Sequence, residues 1–153
     1  MSERSVEHAT FVVERRYDAS PERVFAAWSD PEAKARWFGS AKDRFELDFR
    51  VGGRELHRGI DPGGNAYTFQ ALYQDIVAAR RIVYTYDMLL DETRISVSVA
   101  TVEFRPDGDG TRLVFTEQGA FLDGHDTPAQ RGQGMGSLLD SLGEELRSER
   151  AST

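Results

Sequence analysis

The chain has 153 residues, the length of one compact domain with a substantial core. Its formal net charge is −7, and without a basic stripe to neutralise phosphates we do not expect nucleic acid as a partner. Cysteine is absent, which excludes disulfides, thiolate catalysis and sulfur-ligated metals. The first ten residues hold no apolar signal core, and no apolar run has membrane-spanning length, so we expect a cytoplasmic protein.

The N-terminal part of the chain predicts one strand followed by two short helices. Residues 10–18 alternate apolar and polar side chains, as a half-buried strand does. Segments 20–22 and 30–32 read Ser-Pro-Glu and Asp-Pro-Glu, and each places a capping side chain before a proline and an acidic residue. The apolar faces of the two helices consist of Val24, Phe25 and Trp28, and of Ala33, Trp37 and Phe38. We expect Gly39 to end the second helix.

The middle of the chain predicts a run of strands separated by turns. Strands begin at residue 43, are interrupted by Gly52-Gly53, and continue to about residue 121. After the interruption, the predicted strands are 54–60, 67–77, 81–88, 93–104 and 111–121. Turn signals rich in Asp, Pro and Gly stand at 61–65 and 106–110, which favours antiparallel pairing.

A long helix is predicted at the C-terminus. The Thr127 hydroxyl can cap it, Pro128 suits its first position, and Gln130 completes a capping box. Its apolar stripe recurs every three or four residues and consists of Met135, Leu138, Leu139, Leu142 and Leu146. Glycines at 132, 134 and 136 each cost the helix about 1 kcal/mol relative to alanine. We therefore expect them to allow close approach to a sheet or a ligand.

Four segments carry a family resemblance: RRYDASPERVFAAWSDPEAKARWFG, VGGRELHRGIDPGGNAYTFQALYQDI, RRIVYTYDM and LVFTEQGAFLDG. Through them the chain resembles the helix-grip superfamily of START lipid-transfer domains, birch-pollen-allergen proteins and polyketide cyclases. Within it, the chain is similar to single-domain bacterial members of the heat-shock-protein-90 ATPase activator-homologue family. The resemblance implies an α+β helix-grip fold, in which a curved antiparallel sheet of six or seven strands wraps around the C-terminal helix. We expect a single domain over residues 1–153, with an ordered core of about 8–149.

The resemblance also implies a function. Many relatives bind apolar or aromatic small molecules in the cavity between sheet and helix, and some cyclases or hydrolases act on them. The eukaryotic chaperone activators carry an additional N-terminal domain that this sequence does not include, so we do not expect stimulation of a chaperone ATPase. A homodimer is compatible with such a domain.

Aromatic side chains indicate where a ligand would lie, because rings with a polar tip can line an apolar cavity and orient its occupant. We expect Trp37 and Phe38 to form a gate at the end of the second helix, and Met135, Leu138 and Leu139 to form the helix-side wall. The full set of predicted ligand-binding residues is Trp37, Phe38, Phe45, His57, Tyr73, Tyr84, Tyr86, Phe115, Glu117, Phe121, Met135, Leu138 and Leu139.

Two side chains are candidates for acid–base chemistry. Strand alternation places Glu117 among apolar side chains, where a desolvated carboxylate becomes a general acid or base. The simpler interpretation, which we favour, is a structural ion pair with Arg15 on the adjacent first strand. His57 either lines the pocket, where it can move protons or orient a ligand, or is an exposed strand histidine.

Three functions remain open. The first, which we prefer, is a non-catalytic carrier, sequestering protein or sensor for a small apolar or aromatic molecule. The second is a cyclase- or hydrolase-like enzyme that uses Glu117 and His57. The third is a chaperone-interaction module, which predicts a filled interior and an exposed apolar patch. The spacing of the three histidines predicts no metal site, the glycines at 132–136 follow no strand that would make a phosphate loop, and we expect no cofactor.

Overall fold

The computed structural model describes residues 4–38, 42–61 and 63–151. In chain order, the elements are β1 (Val6–Tyr17), α1 (Pro21–Ser29), α2 (Pro31–Trp37), β2 (Lys42–Leu47), β3 (Arg54–Ile60), β4 (Ala66–Val77), β5 (Arg81–Leu90), β6 (Thr93–Asp107), β7 (Gly110–Leu122) and α3 (Pro128–Ala151). The strands of the described ranges form one sheet in the order β1-β7-β6-β5-β4-β3-β2. Every neighbouring pair is antiparallel.

The architecture confirms the predicted α+β helix-grip class, with seven strands in the curved sheet. The first and last strands are neighbours, and their register pairs Phe11 with Glu117 and Tyr17 with Thr111. Helix α3 lies across the inner face of the sheet and packs against β1, α1 and α2. This arrangement places the inward-facing residues of β3, β4, β5 and β7 opposite α3.

The two short helices begin where their capping residues predict. Ser20 Oγ accepts a hydrogen bond from the Arg23 amide at 3.2 Å, and the Asp30 carboxylate accepts one from the Ala33 amide at 3.2 Å. A proline occupies the first turn of each helix, where its missing N–H costs nothing. Helix α2 ends at Trp37, and the predicted stop at Gly39 lies outside the described residues.

Helix α3 confirms the predicted cap but not the capping box. Thr127 Oγ1 accepts a hydrogen bond from the Gln130 amide at 3.1 Å. The Thr127 amide, however, donates to the Asp126 carboxylate at 2.8 Å instead of to the Gln130 side chain. An adjacent anion is the stronger acceptor at the positive end of the helix dipole. The Gln130 side chain lies on the cavity wall instead.

The glycines of α3 have different surroundings. A Cβ on Gly132 would lie 3.5 Å from the Phe11 ring, and one on Gly136 would lie 3.0 Å from Arg15 Nη2. The contact at Gly132 is one that an alanine would also make, whereas the contact at Gly136 is tight. The predicted close approach to the sheet therefore applies to Gly136. A Cβ on Gly134 would meet no atom within 4 Å, and this glycine faces the cavity.

Helices α1 and α2 close one end of the sheet through aromatic packing. The Trp28 and Trp37 rings meet edge to face with centroids 4.8 Å apart, and Trp37 Nε1 donates to the Ala27 carbonyl at 2.8 Å. Phe25 and Trp28 also contact Phe104 of β6. Within the described ranges, no helix combines the length and apolar character needed to span a membrane.

Candidate functional site

A cavity of about 670 Å³ lies between α3 and the inner face of the sheet. Its volume falls within the range of small-molecule sites. Side-chain alternation along the strands turns every second residue towards it, so β4 and β5 contribute two rings each and β3 and β7 one each. The lining residues on the strands and α2 are Trp37, Phe38, His57, Tyr67, Phe69, Tyr84, Tyr86, Met88, Phe115 and Glu117.

Most of the residues predicted to bind a ligand lie on this wall. They come from α2, β3, β5, β7 and α3, which are distant in sequence and meet only in the fold. They are Trp37, Phe38, His57, Tyr84, Tyr86, Phe115, Glu117, Met135 and Leu138. Trp37 and Phe38, the predicted gate, are both buried and line the α2 end.

Three predicted aromatic residues lie outside the cavity. The Phe45 ring packs against the His57 ring, with centroids 4.5 Å apart. The Tyr73 hydroxyl donates to the buried Glu55, which does not line the cavity. Phe121 packs against the guanidinium of Arg131 at 5.2 Å. Phe45 and Phe121 therefore contact lining residues, and Tyr73 contacts the hydrogen-bond partner of one.

The helix-side wall also differs from its prediction at one position. Leu139 is fully buried outside the cavity, and its carbonyl accepts a hydrogen bond from the Tyr17 hydroxyl at 2.7 Å. Helical geometry turns Leu139 about 100° away from Leu138, towards β1. Met135 and Leu138 do line the cavity, together with Gly134.

Several lining residues were missed by the sequence reasoning: Tyr67, Phe69, Met88, Asp126, Gln130, Arg131, Gly134, Ser137 and Ser141. A signal for part of this set was present. Positions 134, 137, 138 and 141 follow the i, i+3, i+4, i+7 spacing of one helix face. That face consists of small and polar residues around one leucine, so a search for an apolar stripe alone passes over it.

Glu117 is the buried carboxylate of the cavity wall, with 1% of its surface exposed. Its Oε2 accepts hydrogen bonds from the Tyr86 hydroxyl and Ser98 Oγ, both at 2.7 Å. The same oxygen is 3.3 Å from Arg131 Nη1. Glu117 is therefore an ion-paired group held by two strands and α3.

The predicted partner of Glu117 is wrong. Arg15 donates to the Asp140 carboxylate at 2.7 Å and to the Gly136 carbonyl at 3.4 Å. In the sheet it stands opposite Leu113, four residues from Glu117, a distance of roughly 13 Å along a strand. A structural ion pair does exist, as favoured, but α3 supplies the arginine.

Each nitrogen of the Arg131 guanidinium has an acceptor. Nε and Nη2 lie 3.0 Å and 2.8 Å from the Asp126 carboxylate, and Nη2 also donates to Ser96 Oγ at 2.8 Å. Nη1 donates to the Tyr86 hydroxyl at 2.8 Å and to Glu117. Burial lowers the pKa of Arg131, but Tyr86 and Glu117 outweigh it and raise the pKa above its ordinary value. The guanidinium thus stays charged and fixed.

A second buried network lies behind His57. Lys34 Nζ is 2.7 Å from Glu55 Oε1, the Tyr73 hydroxyl donates to the same oxygen, and His57 Nε2 bonds to Glu55 Oε2. Burial alone would raise the pKa of Glu55, but Lys34 and His57 more than offset it and lower that pKa to about 2. His57 is 2% exposed and lines the cavity, so the exposed alternative does not apply.

Lys34 was missed because a lysine on a short helix is ordinarily solvent-exposed. Here its Nζ lies 4.5 Å from the Phe38 ring centroid and 5.0 Å from that of Trp28, so aromatic faces surround the ammonium. Burial lowers the pKa of Lys34, and the charge of Glu55 opposes that shift.

Tyr84 and Tyr86 are neutral side chains on the cavity wall. Burial raises the pKa of Tyr84 and Tyr86, and Glu117 raises that of Tyr86 further. The cavity thus combines an aromatic wall with an ion-paired carboxylate and a histidine backed by Glu55. Among the described residues, no group of three or more His, Asp or Glu side chains could hold a metal ion.

Comparisons with solved structures place this geometry among bacterial relatives. An uncharacterised protein from Rhizobium leguminosarum is 46% identical, with a TM-score of 0.91 over 96% of this chain and 99% of that one. Protein Mll3558 from Rhizobium loti is also 46% identical, with a TM-score of 0.87 over 92% and 99% of the two chains. CalU16 from Micromonospora echinospora, at 21% identity and a TM-score of 0.69 over 99% and 90%, shares the fold.

Curated proteins gave no significant match. Residues 18–147 match the family described as Activator of Hsp90 ATPase homolog 1-like protein. That match covers most of the chain, from the end of β1 into α3, and includes both buried networks. It confirms the resemblance read from the sequence: the chain belongs to the family of Activator of Hsp90 ATPase homolog 1-like proteins.

Proposed function

We propose that this protein binds a small aromatic or apolar molecule in the cavity between the sheet and α3, as a carrier, sequestering protein or sensor. The observation that carries the proposal is the cavity of about 670 Å³ with its aromatic wall. Apolar surface of this kind gains free energy when a ligand displaces water from it. A few polar side chains then fix the orientation of the ligand.

Enzymatic activity is the second candidate, because His57 and Glu117 line the same cavity. Binding is favoured over catalysis by the surroundings of Glu117. Oε2 of this carboxylate already accepts from Arg131, Tyr86 and Ser98. This oxygen therefore has no lone pair left for a substrate proton.

A chaperone-interaction module is the weaker alternative. It predicts a filled interior, and the cavity counts against it. The exposed large apolar side chains of the described residues are spread over β1, the β2–β3 loop, β3, β4 and β6. Single apolar residues scattered over a surface are normal for a monomer and do not indicate a docking site.

The proposal is tested by filling the cavity from α3. Leu138→Trp places an indole where a ligand ring would lie, and naphthol serves as the probe in isothermal titration calorimetry. We expect measurable naphthol binding by the wild type and none by the variant. The control is Leu72→Trp, which makes the same change on the outer face of β4, between the buried Ala71 and Tyr73.

Native mass spectrometry of the protein purified from its own host gives an independent readout. We expect a co-purifying small molecule in the wild type and in Leu72→Trp, and its loss in Leu138→Trp. Equal naphthol affinity in all three proteins, or a wild type that binds neither naphthol nor a host molecule, would contradict the proposal.

A further inference from the structure

We infer that Glu117 Oε1 anchors the ligand, and that the cavity therefore selects apolar molecules which carry a hydrogen-bond donor and no negative charge. Suitable ligand classes are phenols, alcohols and amines, whereas carboxylic acids are disfavoured. This inference rests on the proposed function and names the ligand class of the same site.

The two oxygens of Glu117 differ in their partners. Oε2 accepts from Tyr86, Ser98 and Arg131. Oε1 accepts no hydrogen bond from any residue within 4–38, 42–61 or 63–151. Glu117 as a residue is 1% exposed, but Oε1 is not among the fully buried atoms that lack a partner, so it stays accessible from the cavity that Glu117 lines. In that apolar setting, a carboxylate oxygen gains from a hydrogen-bond donor. A ligand hydroxyl or N–H would supply that donor.

The donors that bond Glu117 are already committed. The Tyr86 hydroxyl donates to Glu117 Oε2 and accepts from Arg131, and the Ser98 hydroxyl donates to the same Glu117 oxygen. Each nitrogen of the Arg131 guanidinium donates to at least one acceptor, on Asp126, Ser96, Tyr86 or Glu117. A ligand carboxylate would therefore have to compete with these acceptors for Arg131.

The local charges point in the same direction. Arg131 lies between two carboxylates, Glu117 and Asp126, so one positive charge faces two negative ones. The other buried ion pair, Lys34 with Glu55, sums to zero. An anionic head group placed beside Glu117 would add a like charge in a region of low dielectric. A neutral or cationic donor meets no such penalty.

The test uses naphthol, methoxynaphthalene and naphthoate, each substituted at the same ring position. The three probes share the ring and differ in having a donor, no donor, or a negative charge. Because a hydrogen bond to a charged group contributes more than a neutral one, we expect naphthol to bind about tenfold more tightly than methoxynaphthalene. Naphthoate should bind no better than methoxynaphthalene.

Asp126→Asn supplies the matched variant. It removes one negative charge from the cavity wall and weakens the ion pair of Asp126 with Arg131, while asparagine can still accept the hydrogen bond from the Thr127 amide. We expect naphthoate affinity to rise about tenfold, since Arg131 gains an N–H for it. The control, Asp140→Asn, removes the same formal charge from an exposed site on α3 where the partner is Arg15, and should leave all three affinities unchanged.

The outcomes separate this inference from the proposed function. Naphthoate binding as tightly as naphthol, equal naphthol and methoxynaphthalene affinities, or equal effects of Asp126→Asn and Asp140→Asn would each overturn the inference and leave a binding cavity intact. Failure of all three probes to bind the wild type would overturn the proposed function, and the inference with it.

Discussion

Two buried carboxylates, Glu55 and Glu117, are each 1% exposed, but they have different surroundings. Glu55 does not line the cavity, and both of its oxygens are bonded, one to Lys34 and Tyr73 and the other to His57. Glu117 lies on the cavity wall, with three hydrogen bonds on one oxygen and none from the described residues on the other. The carboxylate of Glu55, with both oxygens bonded, stabilises the fold. The Glu117 oxygen without a protein partner is available to a hydrogen-bond donor on a ligand.

The same contrast holds for the cations. The Lys34 side chain on α2 is fully buried, and its ion pair with Glu55 connects that helix to β3. Arg131 comes from the first turns of α3 and is 10% exposed at the cavity mouth. We therefore expect substitutions in the Lys34–Glu55 network to change mainly the stability of the fold. Substitutions around Glu117 should change mainly the choice of ligand.

Lys34→Met should have the greatest effect on stability. It leaves Glu55 buried without its cation, and breaking a buried ion pair in this way costs about 3–5 kcal/mol. The control is Arg36→Met on the same helix, whose pair with Glu145 has a half-exposed arginine and contributes about 0–1 kcal/mol. Urea unfolding measures both variants. Similar losses in the two would show that the Lys34–Glu55 network does not stabilise the fold.

Acid should weaken the protein through Glu55. Its pKa is lowered from an ordinary value of 4.5 to about 2, so between these values the unfolded state binds more protons than the folded state. The stabilisation by Glu55 is therefore complete above pH 4.5 and is lost as the pH falls towards 2. Urea unfolding followed through this window checks the slope. In Glu55→Gln the slope should be shallower, and an unchanged slope would assign the acid sensitivity to other groups.

The smallest effect is expected at the α3 glycines. Gly134→Ala adds a methyl group where no atom lies within 4 Å, so the helix should gain about 1 kcal/mol. At Gly136 the same methyl group would lie 3.0 Å from Arg15 Nη2 and would push that side chain off the Gly136 carbonyl. Thermal unfolding should therefore show a clear rise for Gly134→Ala and a smaller one for Gly136→Ala. Equal rises would indicate that α3 does not approach β1 closely.

Local chemistry made much of the fold predictable. Caps at Ser20, Asp30 and Thr127 depend on residues within three positions of each other, and strand alternation depends on nearest neighbours. The helix-grip arrangement, with a sheet of six or seven strands, followed from the order of elements and the family resemblance, and the sheet has seven. Caps and strand alternation depend on residues that are close in sequence, so they can be recognised from short segments of the chain.

The polar partners of the site could not be read in the same way. Glu117 bonds to Tyr86, 31 residues away, and Lys34 bonds to Glu55, 21 residues away. Strand alternation gives the face of a side chain but not which helical residue lies above it, so the ion pair of Glu117 was assigned to Arg15 instead of Arg131. The position of Leu139 failed similarly, because the apolar stripe of α3 is wide enough to face both β1 and the cavity.

A crystal structure of the protein with bound naphthol would decide whether the cavity between the sheet and α3 is a binding site. We predict that the ring lies between Leu138 and Tyr84, with its hydroxyl oxygen at hydrogen-bond distance from Glu117 Oε1. Naphthol bound on the outer surface, or a cavity closed by its own side chains in the crystal, would contradict this account.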